Sequence, residues 1–203
     1  MKIGPKYKIA KRLGAQVFDK TQTQKFQLSE ARGGKKMGKR FGNKSEYSKQ
    51  LLEKQKVRFS YYVSEKQFKN YVKKAMDLGG VNPAEALYLY LESRLDNAVY
   101  RMGLAPTRQA ARQMVSHGHI ILNGRRVKSP SFALGKEDII SIRQGSKASS
   151  LFTDISEKLK DTKQPEWLLF DTEKLEGRVV SLPKYDRTAN HFDLAPVLEY
   201  YSR

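Results

Sequence analysis

Asn123-Gly124 stands between two runs of β-prone residues, H-I-I-L before it and R-R-V after it. Both central positions of a two-residue hairpin turn require positive φ, which Asn-Gly adopts at least cost, so the dipeptide predicts a tight hairpin. Upstream, Thr107 can cap a helix that Gly118 closes. With about 100° between successive residues, Ala110, Ala111, Met114 and Val115 fill one arc of that helix. Arg108, Arg112 and Ser116 fall on a neighbouring arc. One side packs and the flank presents two arginines. Arg125, Arg126 and Lys128 follow the turn, so helix, glycine stop and hairpin carry cations at both ends.

The surrounding residues complete a small unit. Ser93 with Asp96 resembles a capping pair. Leu95, Val99 and Met102 line one side of the helix that follows, and Gly103 ends it. Around Asp138 to Arg143, Ile139, Ile140 and Ile142 mark another strand. Residues 93–144 thus read as a small α+β module with nine Lys/Arg and three acids.

Such charge is not confined to the module. The 203 residues hold 39 Lys/Arg against 21 Asp/Glu, a formal net charge of +18. Residues 1–44 contribute +11, residues 45–150 contribute +9 and residues 151–203 contribute −2. Self-repulsion on this scale suits a protein that lives against a polyanion. The densest part, A-R-G-G-K-K-M-G-K-R-F-G-N-K from Ala31 to Lys44, has six cations, four glycines and no acid. It is expected not to fold alone, and to order along a phosphate backbone through Lys35, Lys36, Lys39, Arg40 and Lys44. A solvated linker is the alternative, and the overall charge favours nucleic acid. The stretch lacks the spacing of a phosphate-binding loop.

From Ser45 the pattern turns helical, with Tyr47, Leu51 and Leu52 on one side. Lys54, Lys56 and Arg58 then interleave with Phe59, Tyr61 and Tyr62. Cations can hold phosphates while aromatics stack on unpaired bases; equally, the aromatics are core and the lysines a solvated face. Ser64 to Gln67 reads as a capping box, and Phe68, Tyr71, Val72, Ala75 and Met76 make an apolar stripe. Asn82-Pro83 opens a helix that is apolar nearly all round. Further on, 151–160 reads as a helix, 165–170 and 178–183 as strands with Trp167 buried, and the end, A-P-V-L-E-Y-Y-S-R, as a short helix. The expected architecture is α+β. A mainly helical domain, 45–92 with 151–203, carries an inserted module at 93–150, two helices on a short β-sheet. An extended basic N-terminal arm, 1–44, precedes both and is expected to thread along phosphates and order on binding.

The chain contains no cysteine, which removes disulfides, thiol catalysis and Cys-rich zinc sites. No apolar run reaches the length of a membrane span, and M-K-I-G-P-K-Y-K lacks a signal-peptide core. Three histidines offer few bases for a Ser-His-Asp arrangement. His117 and His119 have no third ligand near them in sequence. No cofactor is expected.

The order of motifs is similar to that of the bacterial-type small-subunit ribosomal protein four family. The similarity rests on Ser45-Glu46-Tyr47, Gln50-Leu51, Glu53 to Arg58, Gln67-Phe68, Arg94 to Asn97, Val99 to Gly103, Thr107-Arg108 and Ala111 to Gln113. It continues with Val115 to His119, Asn123-Gly124, Val127 and Pro130-Ser131, and closes with Glu199 to Arg203. It implies a structural constituent of the small subunit that binds small-subunit ribosomal RNA and nucleates assembly of its 5′ domain. It also implies a place near the messenger RNA entrance channel, influence on translational accuracy, contact with ribosomal protein five, and a cytoplasmic location in the ribosome, an organellar ribosome remaining open. The expected RNA contacts are Lys35, Lys36, Lys39, Arg40 and Lys44 of the basic stretch, then Tyr47, Lys54, Lys56, Arg58, Arg94, Arg101, Arg108, Arg112, His117, Arg125, Arg126 and Lys128. Relatives with N-terminal zinc-binding cysteines exist, and that role does not carry over.

Two other classes compete. Arg94-Leu95-Asp96 resembles the motif bearing the catalytic aspartate of pseudouridine synthases, but it continues N-A-V-Y-R and lies inside the module. Asp96 therefore reads as a helix-start residue. An RNA chaperone rescuing stalled particles is the third reading.

Overall fold

The computed structural model describes residues 3–37, 45–149, 151–152, 164–171, 174–187 and 190–202, with side chains of the second helix described only to Arg32. The chain divides into two compact units. One comprises 1–87 with 186–203, and the other 88–185.

The first unit is helical. Helix α1 (Lys6–Leu13) ends at Gly14, whose φ of +63° closes it in the left-handed region. After a 3₁₀ turn at Asp19–Thr21 comes α2 (Gln24–Met37). Ala10, Phe18 and Phe26 form a small buried cluster against which Phe59 packs. The first part of the arm, expected to be extended, is therefore helical with a small core of its own. Residues 31–37, expected to lack structure on their own, continue α2, since lengthening a nucleated helix costs far less than starting one. Lys39, Arg40 and Lys44 lie outside the described residues, as do the side chains of Lys35 and Lys36.

Helix α3 (Glu46–Ser60) is capped by Ser45 Oγ, which accepts from the Ser48 amide, and α4 (Glu65–Met76) is capped likewise by Ser64. On α4 the expected stripe buries Phe68, Val72 and Ala75, while Met76 is exposed. On α3 the buried face is Gln50, Lys54 and Val57, whereas Leu51 and Leu52 are only half-buried. This corrects the expected apolar side at Leu51 and Leu52. The chain's last helix, α8 (Ala195–Tyr201), lies against α3 and supplies polar partners for that face. Helix α5 (Pro83–Glu92) buries Ala86, Leu87, Tyr88 and Leu91.

In the second unit, α6 (Leu95–Arg101) and α7 (Arg108–His117) pack on a five-stranded antiparallel sheet. Strands β1 (Ile120–Leu122) and β2 (Arg125–Arg126) form the expected hairpin, with Asn123 at φ +48° and Gly124 at φ +77°. Asn123 also ties the turn to β3 (Ile139–Ile142). Its Oδ1 accepts from the Ile139 amide at 2.8 Å, and its Nδ2 donates to Asp138 Oδ1 at 2.7 Å.

Two expectations change here. Strands β4 (Leu168–Asp171) and β5 (Glu176–Val179) pair with the module's sheet, in the order β2-β1-β3-β5-β4, instead of joining the helical domain. Leu168, Phe170 and Val179 enter the same core as Met114 and Ile140, so these strands bury their own apolar face and cover the β3 edge. Trp167, expected within a strand, is buried just before β4. The second is Ser93, which does not cap with Asp96. Arg94 occupies the N-cap position, and Ser93 Oγ donates to the Leu89 carbonyl at 2.6 Å. The helix expected at 151–160 lies almost wholly outside the described residues.

Candidate nucleic-acid interface

Helix α7 is fixed at both ends. Thr107 Oγ1 accepts from the Ala110 amide at 3.0 Å, and Gly118 closes the helix at φ +72°. Ala111, Met114 and Val115 enter the core, so Arg108 and Arg112 are carried on the flank. Arg108 Nε donates to Asn97 Oδ1 at 2.8 Å, and its guanidinium lies 4.4 Å from the Tyr100 ring centre. Arg112 Nη1 reaches Asp96 Oδ2 at 3.5 Å. On α6, Arg101 makes a two-toothed pair with Glu92 and stays 34% exposed.

Arg94 stands apart from these. It is 1% exposed and makes a bidentate pair with Asp96, Nε to Oδ1 at 2.9 Å and Nη2 to Oδ2 at 2.5 Å. A charge so enclosed holds the fold and does not clamp an external phosphate. The backbone explains why: the Leu95 and Asp96 amides donate to the carbonyls of Phe132 and Pro130, folding the 130–134 segment over this helix start.

Beyond the hairpin turn, Arg125 and Lys128 are exposed and take no side-chain ion pair among the described residues. Arg126 is exposed as well. Its guanidinium donates to the carbonyls of Gly118 and His117, capping α7. His117 is exposed and stacks on His119, with ring centres 6.1 Å apart. His119 Nδ1 is 2.9 Å from Ser146 Oγ. No group of three or more His, Asp or Glu among the described residues is arranged to hold a metal ion.

The first unit treats its expected contacts differently. Lys54 is 5% exposed; its ammonium meets Glu65 Oε1 at 2.8 Å and lies 4.3 Å from the Tyr200 ring centre. Arg58 approaches Glu65 Oε2 at 3.3 Å, and Lys56 pairs with Glu53. Tyr201 Oη donates to Glu65 Oε1 at 2.9 Å. Burial by itself raises the Glu65 carboxyl pKa, but the hydrogen bonds from Lys54 and Tyr201 and the charges of Lys54 and Arg58 outweigh it. The carboxyl is held below its ordinary value. Burial, reinforced by the bond to Glu65, pushes the Tyr201 phenol upward. Tyr47 Oη is 3.5 Å from Tyr200 Oη. Of the interleaved aromatics, Tyr61 is core, while Phe59 and Tyr62 are half-buried.

The structure thus brings Arg101, Arg108, Arg112, Arg125 and Lys128 onto the surface of one unit and turns Arg94 and Lys54 inward. Exposed Lys66, Lys69 and Lys73 on α4, opposite its buried stripe, were not among the expected contacts. The period that identified the stripe also places them. Glu92 and Asn97, which hold two arginines, were missed as well. Neither residue's sequence neighbourhood carries a signal for that role.

A folded basic module with part-exposed arginines held by its own carboxylates and amides suits a protein that binds a polyanion. Residues 1–92 match the family model described as the ribosomal protein S4/S9 N-terminal domain, and residues 93–140 match the S4 domain. Similar over nearly their whole length are the small ribosomal subunit proteins uS4 of Shewanella loihica (41% identical, covering 99% of this chain and 98% of that one) and of Christiangramia forsetii (39%, 98% of each). That of Halothermothrix orenii is 43% identical over 82% of this chain and 79% of its own. The chain belongs to the uS4 family of small ribosomal subunit proteins.

Proposed function

We propose that this chain is a structural constituent of the small ribosomal subunit that binds small-subunit ribosomal RNA directly. The observation that carries the proposal is the cationic flank of the second unit. Arg101, Arg108 and Arg112 are held part-exposed there, and Arg125 and Lys128 extend from the hairpin. Phosphate contacts of this kind set position on RNA, while the shape of the folded RNA supplies specificity. The chain nucleates assembly of the 5′ domain, lies near the messenger RNA entrance channel, influences translational accuracy and meets ribosomal protein five. It works in the cytoplasm as part of the ribosome. Family membership and the names of the relatives support this reading.

The test is sedimentation of the tagged full chain from lysate at low and high salt, with crosslinking and sequencing of bound RNA. Retention in small subunits with crosslinks to 5′-domain RNA is expected. Recovery with large subunits, transfer RNA or no particle would overturn it.

A further inference from the structure

Two arginines of the module are held by polar side chains that no RNA could reach. Glu92 is fully buried and Asn97 is 2% exposed. The Glu92 carboxylate accepts Arg101 Nη2 at Oε1, 2.6 Å, and Arg101 Nε at Oε2, 3.1 Å. The same Oε2 accepts from Asn97 Nδ2 at 2.8 Å, and that amide also donates to the Glu92 backbone carbonyl at 3.0 Å. With its NH₂ committed to Glu92, Asn97 turns its Oδ1 toward Arg108, whose Nε donates at 2.8 Å. One buried carboxylate therefore sets both arginines, the second through the amide.

A buried acid is costly to desolvate, and its charge opposes attraction to a polyanion. The compensating gain is preorganisation. An unheld arginine loses side-chain freedom when it docks, and each such side chain weakens binding roughly two- to tenfold. A guanidinium has five donors in a fixed fork, so one acceptor can hold it while it meets a phosphate.

We propose that Glu92 and Asn97 are positioning residues that hold Arg101 and Arg108 in the geometry that meets RNA phosphates, so that a buried acid strengthens binding to a polyanion. The proposal rests on the reading of these arginines as RNA contacts. It opposes the simple electrostatic expectation, under which removing an acid tightens RNA binding.

The experiment measures affinity of the full chain for transcribed small-subunit ribosomal RNA of Shewanella loihica, with thermal melts confirming the fold of each variant. Asn97→Ala leaves net charge unchanged and is expected to weaken binding about fivefold. The double variant Asn97→Ala with Arg108→Ala is expected to bind no more weakly than Arg108→Ala alone, because the amide acts through that arginine. Glu92→Gln is expected to bind more weakly, although it makes the chain more positive. Additive effects of Asn97→Ala and Arg108→Ala, or tighter binding by Glu92→Gln, would overturn the positioning role alone. If Arg101→Ala and Arg108→Ala both bind as the wild type does, the RNA-contact reading falls and the positioning role with it. Should Asn97→Ala lack a cooperative melt, Arg108→Lys carries the test. It keeps the charge but lacks the planar fork that lets one donor hold Asn97 while the others meet a phosphate, and wild-type affinity in it would overturn the proposal.

Discussion

Arg126 lies across Gly118. Its Nε donates to the Gly118 carbonyl at 3.0 Å and its Nη2 to the His117 carbonyl at 2.8 Å, so a hairpin cation satisfies the last carbonyls of α7. A positive group at a helix C-terminus is favoured by the helix dipole as well. Gly118 makes this close approach possible: a Cβ there would collide with the guanidinium, and its φ of +72° suits glycine.

Gly118→Ala is therefore expected to destabilise the chain by about 1–2 kcal/mol from the left-handed backbone, before any loss of the Arg126 cap. Arg126→Ala is expected to cost about 0.3–1 kcal/mol. Urea unfolding of the two variants checks the order. Equal stability of Gly118→Ala and the wild type would contradict the account.

Met114 is 6% exposed in the core of the second unit, and Met114→Ala is expected to cost about 2–5 kcal/mol. Gly177 faces the same core from β5. A Cβ there would come within 2.6 Å of Met102 Sδ and 3.1 Å of a Phe170 ring carbon. Gly177→Ala is expected to cost about 1–3 kcal/mol through overpacking, and Gly177→Ala with Met102→Ala less than the sum of the two. Denaturant midpoints at constant slope give the comparison.

Glu65 ties Lys54, Arg58 and Tyr201 together, and its carboxyl pKa lies below the ordinary value of 4.5. Because the folded-state pKa is depressed, the stabilisation is present above the unfolded carboxylate pKa and is lost as pH falls through the folded one. Acidification below the ordinary carboxylate range is expected to loosen α8 from α3 and α4. Amide exchange at Leu198 and Tyr201 is the measurement. In Glu65→Gln these amides should exchange faster already at neutral pH and respond less to acid.

The hairpin and the helix caps are legible in the sequence because each depends on residues a few positions apart: Asn123-Gly124, Thr107 with Ala110, and Ser64 with Gln67. The inward face of α3 is not. Gln50 and Lys54 are polar, and the partners that let them be buried, Glu199 and Tyr200, come from the far end of the chain. Separation in sequence also hides the pairing of β5 with β3. Arg94 reads as a clamp in the sequence because charge alone cannot separate an arginine that faces solvent from one enclosed by Asp96 and the 130–134 segment. Glu92 looks like one more acid beside a helix end, and only the fold shows it seated beneath Arg101 and Asn97.

The central claim is that RNA is held through phosphate contacts on the second unit, and the salt dependence of binding tests it most directly. Affinity for small-subunit ribosomal RNA should be measured across a salt series for the wild type and for Arg125→Ala with Lys128→Ala. Both side chains are exposed and outside the core, so the fold is retained. The account predicts a steep fall of log affinity with log salt, and a slope shallower in the double variant by roughly 0.7–0.9 for each phosphate that is no longer neutralised. A wild-type affinity that barely moves with salt, or an identical slope in the two proteins, would contradict it.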